Sequence, residues 1–222
     1  MTTTSRRPAP TAGTRRRQGG IAPVARDVLE GDSLDVAPGL LGKLLVHGGR
    51  AGRIVEVEAY RGEADAASHA YRGRTLRNAS MFGRPGLLYV YFSYGMHWCA
   101  NVVCGEEGVA SAVLLRALEP VAGIELMRVA RAARRKDARA PADRDLCRGP
   151  ANLTCALGID QTYDGCDLVR PDAARSQDDD LPWLGDDGTK PPARAARGPR
   201  IGITRATREP WRLWVPGSPY VS

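Results

Sequence analysis

Two runs of β-branched and aromatic residues lie on either side of a glycine near the middle of the chain, and this pattern constrains the fold most. The runs cover residues 87–93 and 97–103, with Gly95 between them. Such residues favour strands, and glycine permits the backbone conformations of a tight turn. The pattern therefore predicts a β-hairpin with Tyr94 at its tip, where an aromatic ring has little core to join.

A second strand pair is predicted upstream, and it ends in a cluster of reactive side chains. Residues 43–47 and 52–59 flank the turn sequence Gly48-Gly49-Arg50, and alternation along the second strand places Glu58 and Tyr60 on one face. His69 follows nine residues after Tyr60. A carboxylate, a phenol and an imidazole at one strand end indicate chemistry rather than packing.

Arg116 lies within an apolar run in a fifth predicted strand, residues 109–118. Burying an unpaired charge is costly, so this arginine requires a partner, and Glu58 is the natural candidate. The remaining elements are weaker predictions. They are a helix from Asp35 as N-cap with Leu40, Leu41, Leu44 and Leu45 at helical spacing, a helix from residue 119 to 135, a helix from Gly149-Pro150 to Gly158, a loop over 170–199, and strands at 200–204 and 211–215.

The charge of the chain favours a polyanionic partner. The 222 residues carry a formal net charge of +7, mostly from arginine, since Lys43, Lys136 and Lys190 are the only lysines. Guanidinium groups suit phosphate contacts. Residues 1–22 are predicted to be a disordered basic tail and residues 23–222 a single domain, with 170–199 loop-rich. Nucleic acid would satisfy both the charge and the ring at the hairpin tip.

Cysteine and histidine usage argues against metal sites and disulfides. The five cysteines are odd in number and form no CxxC pair, and only three histidines are present. No apolar run approaches the roughly 20 residues that cross a bilayer. We therefore expect no metal, no cofactor and no membrane segment, and a reducing location: the cytoplasm of a bacterium, bound to the nucleoid DNA, or the nucleus of a eukaryote.

The ordered combination of these motifs resembles the alkyladenine (3-methyladenine) DNA glycosylase family. The resemblance extends from about residue 34 to the C-terminus. Its matching segments are 52–60, His69, Asn78, 81–82, 85–86, 89–91, 94–96, Asn101, 114–120, 149–150 and 217–219. It implies an α+β fold in one compact domain, with a curved, mostly antiparallel sheet, flanking helices and a protruding β-hairpin.

The resemblance implies a monomeric enzyme that removes alkylated or deaminated purines from double-stranded DNA by hydrolysing the N-glycosyl bond. These include 3-methyladenine, 7-methylguanine, hypoxanthine and ethenoadenine. Because the sugar carbon is inaccessible in stacked DNA, the base must be flipped out. Glu58 matches the family's general base, Arg116 the arginine that shares its water, and Val215 the residue whose carbonyl helps to hold that water.

The resemblance also assigns the binding residues. Tyr60, His69 and Tyr91 match the base pocket, and Asn101 matches the residue that meets the purine edge. Tyr94 matches the intercalating tyrosine, and the predicted DNA contacts around it are Met96, Arg74, Thr75, Arg77 and Arg131. A solvated helix face remains the alternative interpretation for Arg131, and a loop or core histidine remains the alternative for His69.

Three alternatives follow from the chemistry. A glycosylase with lyase activity needs an amine in its pocket, and no lysine lies in the motifs, so a monofunctional enzyme is expected. A noncatalytic binder of damaged DNA would keep Tyr94 and the arginines without needing Glu58 and Arg116 together. A hydrolase of free nucleosides would need the pocket but no phosphate contacts.

Overall fold

A curled antiparallel sheet organises the protein, with helices packed against it. The computed structural model describes residues 20–93, 95–135, 139, 141–172 and 180–222. Within these ranges the strands are β1 Ala22–Pro23, β2 Leu44–His47, β3 Arg50–Tyr60, β4 Leu88–Ser93, β5 His97–Val103, β6 Ala112–Ala122, β7 Trp183–Asp186, β8 Ala196–Gly198 and β9 Arg212–Trp214. The helices are α1 Ser33–Leu40, α2 Ile124–Ala133 and α3 Pro150–Leu157. Short 3₁₀ helices cover Arg26–Leu29, Gly62–Ala64, Leu76–Phe82, Asp143–Asp145 and Gln161–Tyr163.

The order of the strands places β3 at the centre of the sheet. The main path is β1-β7-β2-β3-β6-β5-β4, while β9 pairs with β3 and β8. Along β3, Glu58 lies opposite Leu114 of β6 on one side and Arg212 of β9 on the other. Neighbouring strands therefore satisfy the backbone around Glu58 on both edges. The predicted α+β class with a mostly antiparallel sheet is confirmed.

Helices α1 and α3 cover the sheet and enclose the main hydrophobic core. Leu40 of α1 and Leu153 of α3 join Val57 of β3, Leu115 of β6 and Val102 of β5 in one buried cluster. Helix α2 packs on α3. Strand β3 is covered on both faces. Every residue from Ile54 to Ala59 is therefore buried, including Glu56 and Glu58.

Both predicted strand pairs are present. β2 pairs with β3 from His47↔Arg50 to Leu44↔Arg53, and β4 pairs with β5 from Ser93↔His97 to Leu88↔Val102. Gly95 adopts φ 64°, a conformation that suits glycine. Tyr94 lies outside the described residues, and the predicted protrusion of this pair stays a prediction. The predicted helix from Gly149-Pro150 to Gly158 is confirmed as α3, with Gly158 as its C-cap.

The predicted start and extent of the first helix are wrong. Asp32, not Asp35, caps α1, and its side chain accepts a hydrogen bond from the Leu34 amide over 3.0 Å. Leu44 and Leu45 belong to β2 rather than to the helix. The four leucines share an apolar spacing, but the chain turns at Gly42, where φ is 91°.

The predicted helix start at residue 119 is also wrong. Strand β6 continues to Ala122 because its pairing with β3 extends through Arg53↔Glu119 and Gly52↔Pro120. Helix α2 begins only after Gly123. Glutamate followed by proline is typical of a helix start, but here the sheet pairing decides the conformation.

Two predictions near the C-terminus need correction. The predicted loop 170–199 contains strand β7, which lies between β1 and β2, and strand β8, which pairs with β9; residues 173–179 lie outside the described part. The predicted strand at 200–204 is instead a series of bends. The strand predicted at 211–215 is present as β9.

Candidate active site

The side chain of Glu58 is completely buried, and three donors surround it. Arg116 Nη1 on β6 lies 3.2 Å from Oε1 of Glu58. The Tyr60 hydroxyl donates to Oε2 over 2.9 Å, and the backbone N–H of Ile201 donates to Oε1 over 2.7 Å. The predicted pairing of Glu58 with Arg116, and the predicted shared face with Tyr60, are both confirmed.

The donors leave part of the carboxylate free. A carboxylate can accept about four hydrogen bonds. Two of the three donors approach Oε1 and one approaches Oε2. With the Tyr60 hydroxyl as its donor among the described residues, Oε2 keeps an acceptor position that a water molecule could use.

Burial controls the ionisation of this cluster. Burial raises the pKa of Glu58 above its ordinary value and outweighs Arg116, the Ile201 amide, the Tyr60 hydroxyl and Arg200, all of which lower it. Burial also raises the pKa of Tyr60, and the neighbouring Glu58 adds to the effect. The phenol therefore stays protonated and remains a donor, while the carboxylate is more basic than usual, as suits a general base.

A second buried carboxylate holds Arg116 from the other side. Glu56 Oε1 accepts from Arg116 Nε over 3.3 Å and from Arg212 Nη1 over 2.9 Å. Its Oε2 accepts from the Ser222 amide over 2.7 Å, and the Ser222 hydroxyl oxygen lies 3.0 Å from Arg116 Nη2. The guanidinium of Arg116 thus bridges two carboxylates, which restricts its orientation.

A cavity of about 830 Å³ opens beside this cluster. The predicted base-pocket residues Tyr60, His69, Tyr91 and Asn101 all line it, together with Arg116. Its other walls come from residues 66–68, 71–72, Arg77, Met81, Tyr89, Ser93, Cys99, Leu114, Pro150 and 201–205. Glu58 lies directly behind two of the lining residues, Tyr60 and Arg116. A cavity of this size is typical of small-molecule and cofactor sites.

Aromatic rings form one wall of the cavity. The His69 and Tyr91 rings meet edge to face with centroids 4.4 Å apart, and the Tyr89 and Tyr91 centroids lie 5.5 Å apart. His69 Nδ1 lies 3.0 Å from the Tyr89 hydroxyl. Burial, followed by the charge of Arg77, lowers the pKa of His69, so the imidazole is neutral at neutral pH. The wall therefore presents uncharged rings.

Asn101 combines a structural contact with a place in the cavity wall. Its Nδ2 donates to the Tyr89 carbonyl over 3.0 Å, so the backbone satisfies part of the amide. The same buried side chain lines the cavity. This contact fixes the orientation of the amide toward whatever enters.

Metal and membrane features are not seen in the described part of the chain. No group of three or more His, Cys, Asp or Glu residues within it could hold a metal ion, and all five cysteines are free thiols. In the same ranges, no helix has both the length and the apolar character needed to cross a bilayer.

Residues 27–219 match the model of the family described as "Methylpurine-DNA glycosylase (MPG)". The chain belongs to this family. A protein of Burkholderia lata is 56% identical over 85% of each chain, and one of Leifsonia xyli subsp. xyli is 47% identical over 91% of this chain and 92% of its own. One of Streptomyces avermitilis is 46% identical over 90% and 91%. All three carry the name "Putative 3-methyladenine DNA glycosylase".

Membership in the methylpurine-DNA glycosylase family places the chain among DNA glycosylases, which hydrolyse N-glycosyl bonds in base excision repair. The resemblance inferred from the sequence is therefore confirmed. It also fits the site, because a buried carboxylate beside a ring-lined cavity is suited to hydrolysis next to a flat base.

The predicted DNA-contact residues lie in two places. Arg77 lines the cavity and donates to the Phe92 carbonyl over 2.9 Å. Thr75 is the N-cap of the 3₁₀ helix Leu76–Phe82, its amide donates to Asn78 Oδ1 over 2.6 Å, and Arg74 beside it is exposed. All three lie within residues 74–77, and Arg77 is the one among them that lines the cavity.

Met96 and Arg131 lie at a second depression, of about 480 Å³, between the turn end of β4–β5 and helices α2 and α3. Met96 is 61% exposed. Arg131 is half-buried and donates to Asn152 Oδ1, and burial lowers its pKa. It is therefore not a fully solvated residue on the helix face.

Val215 follows β9, and its amide donates to the Val55 carbonyl over 2.9 Å. It lines a third depression, together with Gly42, Arg53 and Glu119. The prediction for Val215 concerns its carbonyl, which stays a prediction.

The sequence interpretation missed several residues at this site. Glu56 lies two positions before Glu58, so alternation alone places it on the same face. Asp65 and Arg200 form a buried ion pair next to Tyr60, although they are 135 positions apart. In the sequence, Arg200 is marked only by its position between Pro199 and an apolar residue. That feature is too weak to distinguish it from the many other arginines.

Proposed function

We propose that Glu58 directs a water molecule at C1′ of a damaged purine nucleotide that has been flipped out of duplex DNA into the 830 Å³ cavity. One observation carries the proposal. A fully buried carboxylate, held by Arg116, Tyr60 and the Ile201 amide, lies directly behind the rings that line the cavity.

The charge of Glu58 serves two steps of the reaction. As the purine leaves, positive charge develops on the deoxyribose, and an adjacent anion stabilises it. The same carboxylate accepts a proton from the attacking water. Arg116 favours the ionised form through its 3.2 Å contact, and the Val215 carbonyl is proposed as a second acceptor for the water.

The cavity wall supports selection of damaged purines. Electron-poor bases gain from stacking on the electron-rich faces of Tyr60, Tyr91 and the neutral His69. Asn101 is placed to meet the purine edge and to disfavour the exocyclic amine of normal guanine. The substrates proposed are 3-methyladenine, 7-methylguanine, hypoxanthine and ethenoadenine.

Base flipping requires backbone contacts and a residue that fills the gap in the duplex. We assign the gap to Tyr94, with the exposed Met96 beside it, and the phosphate contacts to Arg74, Thr75, Arg77 and Arg131. The carboxylate, the cavity and the proposed contact residues all belong to one chain, and we propose that the enzyme acts as a monomer.

The lysines support a monofunctional enzyme that leaves an abasic site. Strand cleavage by a glycosylase requires an amine that attacks C1′. None of the residues lining the cavity is a lysine. Lys43 pairs with Asp186 over 2.6 Å, Lys190 lines the depression near Val215, and Lys136 lies outside the described residues.

The test compares wild-type protein with Glu58→Gln on a duplex that contains hypoxanthine or 3-methyladenine. We expect release of free base by the wild type without strand cleavage. In Glu58→Gln release should fall by about 100-fold or more while duplex binding largely persists. Excision at the wild-type rate in Glu58→Gln would remove Glu58 from the mechanism.

A further inference from the structure

A completely buried ion pair joins two of the segments that line the cavity. Asp65 lies in the loop after β3, directly before lining residues 66–69, and Arg200 directly precedes lining residues 201–205. Arg200 Nη2 donates to Asp65 Oδ1 over 2.8 Å and Nη1 donates to Oδ2 over 2.5 Å. Nη1 also donates to the Ala59 carbonyl over 2.9 Å. The pair therefore ties both cavity segments to the end of β3.

Two aromatic rings flank the guanidinium of Arg200. Its Cζ lies 4.5 Å from the centroid of the Tyr60 ring and 4.8 Å from that of Trp211. Tyr60 lines the cavity and also donates to Glu58. A planar cation against the ring restricts how Tyr60 can tilt.

The backbone connects Arg200 to Glu58 even more directly. The amide that donates to Glu58 Oε1 over 2.7 Å belongs to Ile201, the next residue in the chain. The Ile201 side chain is 45% exposed and gives this amide little anchoring of its own. The preceding residue, Arg200, is buried and held by Asp65.

We propose that Arg200, held by Asp65, is a positioning residue for base excision. It fixes the Ile201 amide against Glu58 and fixes the Tyr60 ring at the cavity wall. The inference rests on the proposed role of Glu58. A buried ion pair is weak evidence for stability, because desolvation of two charges offsets their attraction. The contacts that it organises around Glu58 supply a different reason for its presence.

The groups that face Glu58 define what a pH measurement would report. They are Tyr60 on the same strand, Arg116 on β6, Cys99 on β5 and Arg200 in the loop, with the Glu56–Arg212 pair beside Arg116. The Ile201 amide and the charge of Arg200 both favour the ionised carboxylate. Loss of either one therefore raises the pKa of Glu58.

The experiment measures single-turnover release of hypoxanthine from a duplex between acidic and neutral pH, for Arg200→Lys and Asp65→Asn. We expect the rate at neutral pH to fall by about 10-fold or more. The reason is that the Ile201 amide and the Tyr60 ring would no longer be held in position relative to Glu58. In Arg200→Lys the acidic limb of the profile should move to higher pH, since the displaced Ile201 amide no longer donates to ionised Glu58. Duplex affinity should change little.

Ile201→Pro tests the amide, because it removes the N–H and replaces neither charged side chain of the ion pair. Its matched control is Ile201→Ala, which keeps the N–H and truncates the side chain. The acidic limb should move to higher pH in Ile201→Pro and stay in place in Ile201→Ala. Arg197→Lys, at an exposed position three residues before Arg200, should match the wild type. If Arg200→Lys fails to fold, the rate of Asp65→Asn tests the ion pair and Ile201→Pro tests the amide.

An unmoved acidic limb in folded Arg200→Lys or in Ile201→Pro would overturn the inference. The inference would also be overturned if the variants lost rate only in proportion to their loss of folded protein. These outcomes differ from failure of the proposed function, in which the wild type releases no base or Glu58→Gln releases it as fast as the wild type.

Discussion

Arg116 is held between two buried carboxylates, those of Glu58 and Glu56. Glu56 has no exposed surface and accepts from Arg116 Nε, from Arg212 and from the Ser222 amide. Arg116 Nη1 is thereby left for Glu58. A residue that orients a catalytic partner in this way affects the rate without touching substrate.

Glu56→Gln is expected to slow excision about 10-fold, since Arg116 loses its charged anchor. It should also lower the free energy of unfolding by about 3 kcal/mol, because two guanidinium groups lose a buried counter-charge. Single-turnover base release and urea unfolding measure the two effects separately.

Glu119→Gln is the matched control for Glu56→Gln. The Glu119 side chain is 41% exposed and lies 4.0 Å from Arg53, so its loss should change the unfolding free energy by less than about 1 kcal/mol. Wild-type base release by folded Glu56→Gln would show that Arg116 needs no second carboxylate.

Single residues were predictable from the sequence where a physical cost identified them. Arg116 lies in an apolar run, and the cost of an unpaired buried charge led directly to Glu58. The same reasoning could not locate Arg200, because its burial depends on a partner at Asp65 and on rings at Tyr60 and Trp211. Those contacts arise only when distant segments of the chain meet.

At the scale of elements, the junction between β6 and α2 depends on one glycine. Gly123 adopts φ 68°, and a Cβ atom there would lie 2.4 Å from the Gly49 carbonyl oxygen in the turn between β2 and β3. A side chain would meet backbone that cannot move without disturbing the pairing of β2 with β3. This close approach sets where the strand ends and the helix begins.

Gly123→Ala is therefore expected to lower the free energy of unfolding by about 3 kcal/mol, through backbone strain and the steric clash together. Gly108→Ala is the control, since Gly108 also has a positive φ, 92°, but a Cβ there would meet nothing within 4 Å. It should cost only about 1–2 kcal/mol. Equal losses in urea unfolding would mean that the contact with Gly49 is unimportant.

Helices and strands were predictable where the apolar pattern was long and clear turn or cap residues marked its ends. The β2–β3 and β4–β5 pairs and helix α3 have turn or cap residues at both ends, and they were located correctly. Strand β7 is only four residues long and was missed inside a polar segment. Its conformation comes from pairing with β1 and β2, which local sequence does not encode.

For the whole molecule, the two depressions next to the β4–β5 pair form the surface that we propose contacts DNA. Tyr91 and Ser93 line the cavity beside Glu58, whereas Met96, His97 and Trp98 line the depression that contains Arg131. The turn between these strands thus separates a base-sized cavity from a basic cleft. With a net charge of +7, the chain is suited to approach the phosphate backbone on both sides of that turn.

A crystal structure of Glu58→Gln bound to a duplex containing hypoxanthine tests the central proposal most directly. We predict that the hypoxanthine is rotated out of the duplex into the cavity among Tyr60, His69 and Tyr91. Its C1′ should face residue 58 with room for one water molecule, and a phosphate should lie near Arg131. A hypoxanthine that stays stacked in the duplex, or that binds away from residue 58, would contradict the account.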